Sequence, residues 1–137
     1  MRQIDLFHLV LADKTADPTQ QLELFAFLNL GIVQSLASGV LSAPEAIQLF
    51  YHADNCLYVR KHLRSREANA IMSHGVQLPD LFDCLPPTKA QREFYHELET
   101  MRSLCLKLLA EKGQTLMSSG GDNVAARSNS AAQGTGR

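Results

Sequence analysis

Between Asp17-Pro18 and Gly39 the chain carries Leu22, Leu24, Phe25, Phe27, Leu28, Leu30, Ile32, Val33 and Leu36. Asp17 suits the capping position and Pro18 the first helical position. Gly39 suits the left-handed exit. The segment therefore reads as a helix from Pro18 to about Ser38. Its apolar residues cover more than the roughly 100° stripe of a surface helix. Either other helices wrap it, or a second subunit closes its far side. A domain of about 110 residues has few helices with which to surround one completely. A homodimer is the expectation, with Phe25, Leu28, Ile32 and Leu36 on one apolar side and Gly31 where a neighbouring backbone comes close. Leu24, Phe27 and Leu30 fall on other sides. Gly31 costs about 1 kcal/mol against alanine in a helix, which such a close approach would offset.

The remaining elements follow from caps and stops. Ser42-Ala-Pro-Glu45 is a capping box opening a helix that ends near His52. Asp54-Asn55 offers a cap for a short helix from Cys56 to Leu63. Ser65 offers one for a helix from Arg66 to His74 closed by Gly75. Leu78-Pro79 and Leu85-Pro86-Pro87 then bracket a connector. Thr88-Lys-Ala-Gln91 reads as a second capping box, opening the longest helix, which Gly113 stops. On that helix Phe94, Leu98, Met101, Cys105 and Leu108 recur at four and three residues, a single apolar seam, and Tyr95, Leu104 and Leu109 widen it.

These elements predict an all-α chain, a compact bundle of about five helices in one domain, residues 1–113. The dense apolar run Ile4 to Ala12 suits a short N-terminal strand or extended arm, or a short helix. Residues 114–137, ending in "SSGGDNVAARSNSAAQGTGR", bury too little apolar area to offset chain entropy and are expected to be a disordered polar tail.

Composition narrows function by exclusion. The chain has 137 residues, 45% hydrophobic and 20% charged, with a formal net charge of -1. That balance supplies no global field toward nucleic acid or a membrane surface. No apolar run approaches the ~18 to 20 residues of a membrane span. At the N-terminus Asp5 and His8 interrupt a short apolar run, and Asp13 and Lys14 stand where an export signal needs small residues. The expected compartment is the cytoplasm. Cys56, Cys84 and Cys105 are an odd, widely spaced set without a CxxC pair, which suits reduced and mostly buried thiols rather than disulfides or zinc.

"NLGIVQSLASGVLSAPEAIQLF" and, downstream, "HGVQLPDLFDCLPP" before a long helix resemble a family of short bacterial proteins known as a domain of unknown function. The similarity spans roughly residues 20 to 110 and consists of caps and corners. It implies a small, mostly helical bacterial protein and transfers no catalytic residue. The polar tail and the "RKHLRSR" segment depart from it.

Few residues carry chemistry. Glu93 and His96 have the E-x-x-H spacing of di-iron bundles, but such a site needs a second copy and two further glutamates. "HELET" ends in Thr100 where a zinc protease motif needs its second histidine. His52 and Cys56 stand four apart, and two ligands do not complete a structural site. No phosphate loop or nucleophile motif is present, and no metal or cofactor is expected. Arg60, Lys61, Arg64 and Arg66 place four positive charges within seven residues, candidates for contact with an anionic partner. A solvated helix end accounts for the same charges. The segment from Ser42 to Leu63 imitates a helix-turn-helix but lacks its tight glycine turn. The reading is a non-catalytic protein-binding module of adaptor, chaperone-like or toxin-neutralising kind. Nucleic-acid binding through Arg60 to Arg66, or a small enzyme with an unrecognised site, are the alternatives.

Overall fold

The computed structural model describes the backbone of residues 17–120 and the side chains of residues 17–111. Five α-helices follow in order: α1 (Pro18–Ala37), α2 (Ala43–Leu49), α3 (Ala53–Tyr58), α4 (Arg66–Cys84) and α5 (Pro87–Gly120), with a π-helical turn, Val59–Leu63, between α3 and α4. No strand occurs among the described residues. The run Ile4 to Ala12 and residues 121–137 lie outside them. No helix among the described residues is long and apolar enough to cross a membrane.

The long helices α1, α4 and α5 form the body, and α5 packs most extensively on the other two. Helices α4 and α5 run antiparallel. Glu67 near the start of α4 meets Lys107 late in α5 at 3.1 Å, and His74 meets Glu97 at 2.5 Å. The seam of α5 is buried at Phe94, Leu98, Met101, Cys105 and Leu108. It faces Ala68, Ile71, Met72 and Leu78 of α4 and Leu22, Phe25, Ile32, Val33 and Leu36 of α1 in one core.

The N-terminal caps behave as the sequence requires at three helices. Asp17 accepts from the Gln20 N–H at 2.8 Å, Ser42 from Glu45 at 3.2 Å, and Ser65 from Ala68 at 3.1 Å. Gly39 leaves α1 at φ 82°, the left-handed value a side chain disfavours.

Other boundaries differ. Gly75 does not end α4; it sits within it, buried, because the ring of Tyr51 lies against it. A Cβ there would come within 2.5 Å of that ring. Pro79 is also internal to α4 and opens no connector. Having no N–H, it cannot bond the carbonyl of Gly75 four residues back, so burial rather than propensity carries the helix through this turn. Thr88 is not a cap: Pro87 takes the first position of α5, its φ already helical, and the Ala90 N–H bonds the Pro86 carbonyl at 2.8 Å. The backbone of α5 continues through Gly113 to Gly120. Asn55 caps nothing at α3. It is buried inside that helix, and its amide donates to the Phe50 carbonyl at 2.9 Å. Helix α2 stops at Leu49, three residues before His52, because Phe50 and Tyr51 both turn into the core.

The outer side of α1 corrects the expected interface. Phe25, Ile32 and Leu36 are buried in the chain's own core, so they have no surface to offer a second subunit. Among the described residues no helix approaches Gly31: a Cβ there would meet nothing within 4 Å.

The two helical glycines thus give opposite expectations. Gly31→Ala should raise stability by about 0.4 to 1 kcal/mol, since it removes backbone freedom from the unfolded chain without a clash. Gly75→Ala should lower it by about 1 to 3 kcal/mol through overpacking against a buried ring. Urea unfolding of both variants checks the signs. A neutral Gly75→Ala would show that Tyr51 can yield.

Candidate functional site

Two depressions at different places on α4 hold the exposed groups with chemical potential. The larger, about 580 Å³, lies where the C-terminal end of α1, the start of α2, the end of α4 and the start of α5 meet. Phe94, a seam residue, forms its floor. Phe82 from α4 stands 5.2 Å from the Phe94 ring, and Tyr95 stands edge-on at 5.7 Å (centroid distances). Both Phe82 and Tyr95 leave 46% of their surface open. The Tyr95 hydroxyl donates to the Ala37 carbonyl at 3.4 Å, near the last turn of α1. Pro44 and Pro79 stiffen two walls, while Asp83 and Gln91 supply polar groups.

The second depression, about 370 Å³, lies between the π-helical turn and the outer face of α4. Cys56, Arg60, Asn69, Met72, Ser73, Val76 and Gln77 line it. Of the four basic residues singled out in sequence, Arg60, Lys61, Arg64 and Arg66 are all exposed. The structure brings only Arg60 to a concave wall. Arg64 caps the π-helical turn at φ 50°, and its side chain donates to the Lys61 carbonyl at 3.4 Å. Arg66 begins α4 beside Glu67.

The remaining sequence candidates do not assemble. Glu93 is half-buried and His96 exposed on α5, and the carboxylate that meets a histidine is Glu97, paired with His74 across the helix interface. The His52–Cys56 spacing is ordinary helix: the Cys56 N–H donates to the His52 carbonyl at 3.0 Å. Among the described residues no three His, Cys, Asp or Glu side chains gather in a group that could hold a metal.

Sequence reasoning missed Phe82 and Tyr95 as site residues. Phe82 fell in the supposed connector, and Tyr95 read as an extension of the seam. The adjacent pair Phe94-Tyr95 was the available signal: successive helical residues point roughly 100° apart, so the two do not share one narrow seam.

The thiols sort by environment. Cys84 is exposed, Cys56 half-buried and Cys105 buried. Burial pushes the Cys105 thiol up to about 12. Burial also raises Cys56, with the Arg60 charge opposing the shift. Tyr51 lies well above its usual value, first because it is buried and second because Cys105 is near.

Comparisons with protein families, with curated proteins and with solved structures return no match.

Since the thiolate is the reactive form, iodoacetamide at pH 8 should modify Cys84 first, Cys56 more slowly and Cys105 only on unfolding, as peptide mass mapping would read. The same burial sets an alkaline limit. A thiol raised in the folded state keeps its proton when the unfolded chain has lost it, so stability falls as pH rises from the ordinary 9.0 toward about 12. Cys105→Ala should flatten the first part of that decline. An unchanged slope in urea unfolding between pH 8 and 10 would refute the assignment.

Proposed function

We propose that the chain is a non-catalytic protein-binding module that uses the groove of Phe82, Phe94 and Tyr95 as its contact surface. The observation that carries this is the aromatic rim. Two rings keep nearly half their surface exposed on either side of a buried third, over a depression walled by prolines. Rigid aromatic side chains lose little entropy on binding and dominate interface energetics. Asp83 and Gln91 give polar anchors that fix the orientation of whatever lies there. Ser38, Ser42, Asp83 and Tyr95 line the depression, but it holds no histidine, lysine or second carboxylate to activate a hydroxyl.

The class of adaptor, chaperone-like or toxin-neutralising proteins fits this reading. So does the resemblance to a bacterial domain of unknown function, which carries no catalytic residue. A cytoplasmic setting is favoured by three thiols that form no disulfide.

The test is a photo-reactive residue at Phe82 in the native host, followed by affinity measurement on the captured partner. Tyr95→Ala should weaken that partner by at least about tenfold, a loss of about 1.4 kcal/mol, while Lys89→Gln, away from the rim, should leave it unchanged. Equal affinity for wild type and Tyr95→Ala would remove the groove from the account.

A second reading, a homodimer, rests on a different observation. On the outward side of α1, Phe27 is 59% exposed and Leu24 40%, with Leu28 half-buried and Gly31 open. Helix α1 has one charged residue, Glu23, to keep that side in water. Sedimentation at high micromolar concentration decides it. A dimer that Phe27→Glu dissociates supports the reading, and a wild-type monomer ends it.

A further inference from the structure

We propose that the hollow beside Arg60 binds a small oxyanion, a carboxylate or phosphate carried on a molecule of metabolite size. The site is built from two elements. Arg60 comes from the π-helical turn. Asn69, Ser73 and Gln77 follow at steps of four along α4, so they form one polar row down the hollow's other wall. Met72 gives an apolar surface between them.

The donors are free. Among the described residues, the side chains of Asn69, Ser73 and Gln77 make no hydrogen bond, and no carboxylate lies within ion-pairing distance of Arg60. Asn69 is half-buried in that condition. A half-buried amide without a partner is costly unless water or a ligand satisfies it. A guanidinium presents paired donors that match two oxygens of one carboxylate or phosphate. The amides and the hydroxyl would serve the remaining polar atoms.

The backbone points the same way. A π-helical turn is a rare departure from α-helix that recurs at functional sites. Here it ends in Arg64 at φ 50°, the sole non-glycine residue with positive φ among those described. That conformation is unusual for a long side chain. The turn keeps Arg60 against the wall formed by Cys56, while Lys61 and Arg64 remain outside as a positive approach.

Size decides between ligand classes. A hollow of about 370 Å³ falls at the lower end of the roughly 300 to 1,000 Å³ typical of small-molecule sites. A nucleic-acid strand would need the four cations on one open face. Instead only Arg60 lines the hollow, and Lys61, Arg64 and Arg66 do not.

The test titrates the full chain with sodium phosphate and, separately, sodium succinate at constant ionic strength, following the side-chain NH₂ resonances of Asn69 and Gln77 by NMR. Saturable shifts are expected with at least one probe. Phosphate alone would assign a phosphoryl ligand, and succinate alone a carboxylate. Arg60→Gln and Gln77→Ala should each weaken the effective probe at least about tenfold, whereas Arg66→Gln, outside the hollow, should not. Absence of saturation with both probes up to about 10 mM, beyond the millimolar range of weak specific sites, overturns the proposal. Equal weakening by Arg60→Gln and Arg66→Gln also overturns it, because the anion would then sense diffuse charge. A DNA fragment that shifts the same resonances more strongly than either anion, with steep salt dependence, overturns it in favour of nucleic acid.

Discussion

Tyr51 holds three parts of the structure at once. Its ring lies on Gly75 of α4, its edge meets Phe50 at 5.3 Å, and its hydroxyl donates to Asn29 of α1 at 2.7 Å. Asn29 in turn donates from its amide to the Phe25 carbonyl one turn back at 2.9 Å. Every polar atom in this chain of contacts is therefore matched inside the core, where an unmatched one costs about 1 to 3 kcal/mol. The bond is directional, so it fixes the register of α1 against the α2–α3 corner, which apolar contacts alone would leave loose. Gly75 is the condition for it, since any larger residue would push the ring out.

That lock explains how α4 survives its own sequence. Glycine costs about 1 kcal/mol and proline about 3 kcal/mol within a helix, and α4 contains Gly75 and Pro79 one turn apart. Local propensity would break it there. The buried faces at Met72, Gly75 and Leu78, closed by Tyr51 and the α5 seam, supply what propensity withholds. The Glu67–Lys107 ion pair is open to water at its lysine, so it contributes alignment more than energy, and the partly buried His74–Glu97 contact ties the same two helices further along.

The same contrast marks what the sequence made legible. Ser42, Ser65, Asp17 and Gly39 act through neighbours three or fewer residues away, and each behaves as read. The α5 seam was legible because its period is local too. Gly75, Pro79 and Asn55 were misread because their roles depend on residues elsewhere in the chain: a glycine reads as a stop until a ring is known to rest on it. Phe25, Ile32 and Leu36 were assigned to an interface for a related reason. Apolar periodicity says that a residue is buried, not which partner buries it. The aromatic groove was hidden furthest, since Pro44, Phe82 and Tyr95 meet only when four helix ends converge.

Both depressions depend on α4. Its polar row, Asn69 to Gln77, walls the hollow at Arg60, and its last turns, Pro79 to Asp83, wall the aromatic groove. Gly75 falls within the first stretch and Pro79 opens the second. The residues that weaken the helix locally therefore fall within the two stretches it has to hold in shape. An α4 built from strong helix formers would be more stable alone, but it would have no place for Tyr51. Without Tyr51 the α2–α3 corner loses its bond to α1. The unfavourable helix sequence and the buried tyrosine bond to Asn29 are two consequences of one packing choice.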